Sequence, residues 1–286
     1  NINPIVVGLT IVSMATSMPE MMTSLIAAKE TPGLALGNIL GSNVANIGLI
    51  LGVTAIIAPL AVQSRLIRRE VPILIAVTVM FTLMALGGYS RVEGIIMLSL
   101  TALYLFYVVR SAKNEKDPLE EELAEEVESA SKHSTPVGIG LVILGGLFLA
   151  LGAGVLVGTS VEVAGRMGVS DTLIGLTIVA LGTSLPELAA SVAAARSGHT
   201  DICAGNIVGS NIINLLAVLP FPSLLSPGLI QAPLLFRDYA AVTLMTLLLA
   251  AFCYYAVTQN KKLGRVSGVL FLSLYCGWFT VMLSQL

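Results

Sequence analysis

A fourteen-residue segment occurs twice in this chain, and in each copy a carboxylate follows a long apolar run. Residues 8–21 read GLTIVSMATSMPEM, and residues 175–188 read GLTIVALGTSLPEL. Glu20 and Glu187 occupy equivalent positions, each directly after a proline. An ionisable side chain is costly inside a membrane and usually marks a functional site. Two of them at matching positions of a repeat predict a duplicated transporter with a cation site between its halves.

The composition is that of a membrane protein. Of 286 residues, 56% are hydrophobic and only 11% are charged, whereas soluble proteins carry about 25% charged residues. The apolar runs are long enough for helices rather than barrel strands, so we expect an all-α integral membrane protein in contact with the lipid bilayer. The net charge of −2 gives no reason to expect a nucleic-acid partner. We also expect no cofactor and no enzymatic activity, because no nucleophile–base pair is evident.

The apolar segments predict about nine spanning helices. They are expected near 4–28, 34–60, 71–87, 92–110, 136–160, 171–195, 201–225, 238–258 and 266–284. A second repeated motif follows the first in each half, GNILGSNVAN at 37–46 and GNIVGSNIIN at 205–214. With this offset, the counterpart of the 136–160 helix would fall before residue 1. We therefore expect ten helices in the natural protein, with the first missing here.

Basic residues predict the orientation and the division of the chain. Eleven of the fifteen Lys and Arg residues fall on the side of the 61–70 loop, which makes that side cytoplasmic. The two motif helices then start on opposite sides, so the halves are inverted five-helix repeats. We expect a first half at 1–112, an acidic cytoplasmic linker at 113–135 and a second half at 136–286. The C-terminus would lie outside, the protein would sit in the cell (inner) membrane, and a monomer is expected.

The repeated segments align oxygen-bearing side chains on helix faces. With spacings of three and four residues, one face of the first segment carries Thr10, Ser13, Ser17, Glu20 and Ser24. The prolines remove helical hydrogen bonds and should free carbonyls near Thr16 and Thr183. In the second motifs, the residues spaced four apart are Asn38, Ser42 and Asn46, and Asn206, Ser210 and Asn214. Carboxylates, carbonyls and hydroxyls suit Ca²⁺ and Na⁺, and the absence of nearby His or Cys argues against a softer metal.

These motifs resemble the two signature repeats of the Ca²⁺/cation antiporter superfamily, in its sodium/calcium exchanger branch. The resemblance extends over essentially the whole chain, and it implies ten helices with four ion sites at mid-membrane. The Ca²⁺ ligands it implies are Glu20 and Glu187, with the carbonyls of Thr16 and Thr183. The Na⁺ ligands it implies are the same glutamates with Ser17, Ser184, Ser42 and Ser210, the backbone of Ser13 and Ala180, and Asn46 and Asn214 at the middle site.

This sequence departs from the family pattern at three points. Ala15 stands where the signature has glycine, which leaves the ligands unchanged. Asn214 stands where some members carry Asp, which argues against the potassium-dependent subgroup. In the family, the missing first helix pairs with the 136–160 helix during transport, so we expect the chain as given to bind ions without completing the cycle.

Three functions remain open at this point. The favoured one is a secondary antiporter that exchanges Na⁺ for Ca²⁺ by alternating access. A proton/Ca²⁺ antiporter would use the same glutamates, because protonation would release Ca²⁺. A cation channel with a glutamate ring is less favoured, because inverted repeats with broken helices are typical of transporters.

Overall fold

The structure is a computed structural model that describes residues 13–114, 165–198, 200–228 and 234–284, with individual positions between 144 and 163. All regular secondary structure in these ranges is helical, apart from two isolated bridges, Leu60 with Leu263 and Tyr89 with Gly228. The prediction of an all-α protein is confirmed. The predicted helix 136–160 lies mostly outside the described residues, as does most of the predicted linker 113–135.

Fourteen α-helical pieces form the described part. In the first half they are α1 (Ser13–Thr16), α2 (Met18–Glu30), α3 (Pro32–Ala45), α4 (Leu51–Ile57), α5 (Ser64–Arg68), α6 (Glu70–Ala85) and α7 (Arg91–Asn114). In the second half they are α8 (Asp171–Ile174), α9 (Ala180–Thr183), α10 (Leu185–Arg196), α11 (Thr200–Ile213), α12 (Pro220–Leu225), α13 (Ala240–Thr258) and α14 (Arg265–Leu283). Wider π-helical turns join several of them, at Asn46–Ile50, Gly175–Val179, Asn214–Val218 and Leu234–Tyr239.

Six helical stretches within the described ranges are long and apolar enough to cross a membrane. They are Pro32–Ile57, Arg91–Val108, Asp171–Arg196, Cys203–Leu225, Phe236–Thr258 and Arg265–Leu283. The predicted span 34–60 ends earlier, at Ile57, because Ala58 is extended (φ −142°, ψ 134°) ahead of Pro59. A residue before proline is sterically excluded from the helical region. The short helix α5 was not predicted.

Contacts between loops show which helix ends share a side of the molecule. On one side, the backbones of Leu60 and Leu263 pair, and the Ala61 amide donates to Thr200 Oγ1 at 3.2 Å. On the other side, Tyr89 pairs with Gly228. The chain therefore crosses from one side to the other in the alternating order that the span prediction requires.

The two halves meet through glycines of the second motif and of the repeated segment. A methyl group on Gly37 would overlap the carbonyl oxygen of Thr172, and one on Gly175 would overlap that of Leu34. A methyl group on Gly41 would lie 2.6 Å from Ala180 Cβ. The predicted close approach at Gly37 and Gly41 is thus confirmed, and it presses α3 against the helix that leads to Glu187.

A repeated pair of charges begins α6 and its counterpart in the second half. Arg69–Glu70 and Arg237–Asp238 are separated by the same 168 residues as the second motifs. Asp238 is fully buried, and it accepts hydrogen bonds from Arg237 (2.7 Å to each oxygen) and from Trp278 Nε1 (2.9 Å). A buried carboxylate with such donors is neutralised in place, so it serves the fold rather than a mobile cation.

Candidate ion-binding site

Each repeated segment is broken at the serine that precedes its proline. Ser17 (φ −81°, ψ 5°) and Ser184 (φ −87°, ψ 4°) leave helical geometry, and a new helix begins at the next residue. Proline is well tolerated in the first turn of a helix, where its missing N–H is not needed. Glu20 and Glu187 therefore lie in the first turns of α2 and α10, where the helix dipole favours a negative charge.

Each carboxylate accepts a hydrogen bond from the serine of the opposite repeat. Ser17 Oγ donates to Glu187 Oε1 at 3.1 Å, and Ser184 Oγ donates to Glu20 Oε1 at 2.9 Å. The two breaks therefore face each other across the pseudo-symmetry axis. Residues 167 positions apart in the sequence form one site, as the internal repeat predicts.

Both carboxylates are buried, and their second oxygens have no hydrogen-bond partner. The exposed fraction is 0% for Glu20 and 1% for Glu187, and Oε2 of each is unbonded. Within the part of the chain that the structure describes, neither forms an ion pair, in contrast to Asp238. Because a buried, uncompensated carboxylate is costly, this arrangement favours a site that takes up positive charge.

Asn38 and Asn206 brace the site. Asn38 Nδ2 donates to Ser24 Oγ at 3.1 Å, and its Oδ1 accepts from Thr183 Oγ1 at 3.0 Å. Asn206 Nδ2 donates to Ser191 Oγ at 3.4 Å. Both amides are used within the protein, so they hold the helices that carry the carboxylates.

The next polar residues of the second motifs are in the opposite situation. The unbonded buried atoms are Oγ of Ser42 and Ser210 and both amide atoms of Asn46 and Asn214. Buried polar groups almost always have a partner, and here the exceptions occur at symmetric positions. Asn46 and Asn214 each open a π-helical turn, a feature that is frequent at functional sites.

The threonines and the preceding residues of the repeated segments are partly engaged already. The hydroxyls of Thr16 and Thr183 donate to the carbonyls of Ser13 and Ala180, both at 3.3 Å. The same carbonyls accept the amides of Ser17 and Ser184, at 3.0 and 3.1 Å. Since a carbonyl oxygen has two lone pairs, Ser13 and Ala180 have the least free capacity of the predicted ligands.

Four further buried polar residues were missed by the sequence interpretation. Asn43 and Asn211 follow the predicted serines, and Thr78 and Thr246 lie in α6 and α13. The signal was available, because each pair obeys the 168-residue offset. It was overlooked because these residues lie outside the four-residue spacing that defined the predicted ligand face.

The fold and this site define a polytopic membrane protein of two inverted repeats, with an acidic, oxygen-lined centre buried between them. This is the architecture of a secondary transporter. The profile of the sodium/calcium exchanger protein family matches residues 1–110 and 137–284. The chain belongs to the sodium/calcium exchanger family, whose members are transporters.

Relatives and solved structures agree with this assignment. The putative antiporter CaxA of Alkalimonas amylolytica is 39% identical, over 100% of this chain and 90% of that protein. The sodium/calcium exchanger MaX1 of Methanosarcina acetivorans is 29% identical, over 98% of this chain and 89% of that protein. A structure of the sodium-calcium exchanger NCX_Mj, soaked with 10 mM Na⁺ and 10 mM Sr²⁺, superposes with a TM-score of 0.73 at 31% identity, over 96% of this chain and 86% of that one.

Proposed function

We propose that this protein is a secondary antiporter that exchanges Na⁺ for Ca²⁺ by alternating access, with the ions bound between the two repeats. The observation that carries the proposal is the pair of buried carboxylates, each hydrogen-bonded by the serine of the opposite repeat and each with a free oxygen. The names of MaX1 and NCX_Mj are consistent with this exchange.

The proposed ligands divide by charge. Ca²⁺ binds centrally between Glu20 and Glu187, with the carbonyls of Thr16 and Thr183. Na⁺ binds at overlapping sites that share the glutamates and use neutral oxygens. These Na⁺ ligands are Ser17, Ser184, Ser42, Ser210, Asn46 and Asn214, with the backbone of Ser13 and Ala180 as weaker contributors.

The charge of the site makes the two ions compete. Two ionised carboxylates are neutralised by one Ca²⁺ or by at least two Na⁺, so the same negative charge cannot hold both loads. An empty site would leave two buried, unpaired charges when the protein closes around it. A neutralised site avoids that cost, so only the loaded protein changes state readily, and exchange is obligatory.

A proton/Ca²⁺ antiporter is the competing function, and vesicle transport separates the two. The experiment follows radioactive Ca²⁺ uptake into sealed vesicles that carry the protein, with either an outward Na⁺ gradient or a pH gradient of equal driving force. We expect uptake that requires Na⁺ and that is absent in Glu187→Gln. Uptake driven by the pH gradient in Na⁺-free medium would assign proton coupling instead, and single-channel currents in a planar bilayer would assign a channel.

Ser42→Ala combined with Ser210→Ala should weaken Na⁺ more than Ca²⁺. These hydroxyls have no protein partner, so their removal breaks no internal hydrogen bond. Loss of one neutral ligand per site should raise the half-saturating Na⁺ concentration by about tenfold, the equivalent of ~1.4 kcal/mol, with a smaller change for Ca²⁺. Isothermal titration of each ion measures both values.

The matched control is Ser223→Ala. Ser223 is also buried, but its hydroxyl donates to the Leu219 carbonyl at 3.1 Å within its own helix. It should leave both ion affinities unchanged. Equal weakening of Na⁺ and Ca²⁺ in the double variant would contradict the assignment of these serines to Na⁺.

The orientation and division of the chain belong to the same proposal. The basic side, with the 113–135 linker between halves 1–112 and 136–286, faces the cytoplasm, and the C-terminus lies outside. The relative named inner membrane protein YrbG, from Escherichia coli strain K12, is 36% identical over 98% of this chain and 87% of that protein, which supports a multi-pass membrane location. Labelling of a cysteine introduced into the linker in right-side-out and inverted vesicles tests the orientation.

A further inference from the structure

Four buried polar side chains outside the proposed ion ligands share one unusual property. Asn43, Thr78, Asn211 and Thr246 are each at most 2% exposed. Their unbonded atoms are Asn43 Oδ1, both amide atoms of Asn211, and the hydroxyls of Thr78 and Thr246. The repeat relates them as two pairs, 168 residues apart. Symmetric duplication of an unsatisfied group indicates a common occupant rather than a packing fault.

The two threonines lie at the same level between α6 and α13. Thr82 Oγ1 and Thr243 Oγ1 are hydrogen-bonded at 3.0 Å across these packed helices. Thr78 lies one turn before Thr82 in α6, and Thr246 lies one turn after Thr243 in α13. Since the helices run in opposite directions across the membrane, these two steps lead to the same depth on the same interface.

The two asparagines close a ring around that point. Asn211 is carried by α11, which packs on α6, and Asn43 is carried by α3, which packs on α13. Because α3 and α11 also contact each other, and α6 contacts α13, the four helices form a closed circuit. Each helix contributes one of the four residues, so we place the cluster on the pseudo-symmetry axis.

The threonine hydroxyls are turned away from their own helices. Thr54, Thr82 and Thr101 donate to the carbonyl four residues earlier, at 2.6, 2.9 and 2.8 Å. Such back-bonding is the usual solution for a buried threonine in a helix. Thr78 and Thr246 do not use it, so their hydroxyls are directed towards another partner.

We propose that Asn43, Thr78, Asn211 and Thr246 form a binding site for a small cluster of ordered water, separate from the carboxylate site. The four side chains carry no formal charge and offer both donors and acceptors, which matches water. A buried water typically makes two to four hydrogen bonds to otherwise unsatisfied polar groups. A cation held there would have no counter-charge among these four ligands and would pay the cost of burial.

The water site adjoins the proposed ion site through one residue in each repeat. Asn46 follows Asn43 by one helical turn, and Asn214 follows Asn211 in the same way. Water held behind these amides gives them hydrogen bonds that do not depend on the ions. The centre between the repeats then stays satisfied while ions exchange.

Diffraction from crystals of the full chain, with Tl⁺ replacing Na⁺, tests the proposal. Tl⁺ is a monovalent cation with a strong anomalous signal, so it separates a cation from water. We expect density without anomalous signal, at hydrogen-bonding distance from at least two of the four side chains. An anomalous peak at the cluster, no density there, or direct hydrogen bonds among the four side chains would each overturn the water site.

A variant pair sharpens the result. Thr78→Val with Thr246→Val removes the two unbonded hydroxyls at nearly constant volume, and it should remove the cluster's density. Thr82→Val with Thr243→Val removes two hydroxyls that bond each other one turn away, and it should leave that density in place. Anomalous Tl⁺ peaks at Glu20 and Glu187 report separately on the ion site, so failure of the water site and failure of the proposed function are distinguishable.

Discussion

Glu187→Gln, and equally Glu20→Gln, should abolish Ca²⁺ binding. Each substitution keeps the shape of the side chain and removes one of the two negative charges at the centre. A hard divalent cation in a buried site depends on those charges. Each glutamate also has one oxygen without a protein partner, which is the atom an ion would contact. We expect affinity to fall by more than a hundredfold, which corresponds to about 3 kcal/mol or more.

Isothermal titration with Ca²⁺ in detergent, followed by uptake into vesicles, measures this effect. Glu162→Gln is the matched control, because Glu162 is exposed and pairs only with Arg166 on its own helix, at 2.6 Å. It should bind Ca²⁺ as the parent does. Retention of the parent affinity in either Glu20→Gln or Glu187→Gln would remove the carboxylate pair from the mechanism.

Gly37→Ala and Gly175→Ala should destabilise the protein strongly. The added methyl group of the first would overlap the Thr172 carbonyl, and that of the second would overlap the Leu34 carbonyl. Both obstacles are backbone atoms of a neighbouring helix, so no side chain can move aside. Overpacking of this kind costs about 1–3 kcal/mol or more. Separation of α3 from the opposite repeat would also stretch the hydrogen bond from Thr183 to Asn38.

Thermal unfolding followed by circular dichroism in lipid nanodiscs compares these variants with Gly277→Ala. Gly277 lies inside α14, and no other atom lies within 4 Å of the position its methyl group would occupy. That control should unfold at the parent temperature or slightly above, since alanine is the better helix former. If Gly37→Ala matched Gly277→Ala, the close approach of the repeats would not be what holds the site together.

The sequence predicted the class, the repeat and the residues that the structure brings together. It could do so because an inverted duplication writes each element of a symmetric site twice, at a fixed offset. Glu20, Ser17 and Asn46 each have a counterpart in the second half, and a membrane makes such polar residues conspicuous. The local breaks were also readable in outline, since proline marks where a helix must reopen.

The position of the breaks was less readable. Proline removes the bond to the carbonyl four residues earlier, which directed the prediction to Ala15 and Gly182. The structure places the irregular residue at Ser17 and Ser184 instead. There the proline can occupy the first turn of a new helix, and the serine can reach across to the opposite carboxylate.

The sequence by itself therefore determined that two carboxylates and their flanking hydroxyls belong to a membrane-buried, duplicated centre. Hydropathy and repetition are properties of the chain and need no partner to be visible. Only the tertiary structure decided which repeat completes which site, because Ser17 bonds Glu187 and not its own Glu20. It also decided which buried groups are free: Asn38 and Asn46 have the same side chain on one helix face, but only the former finds partners in the packing.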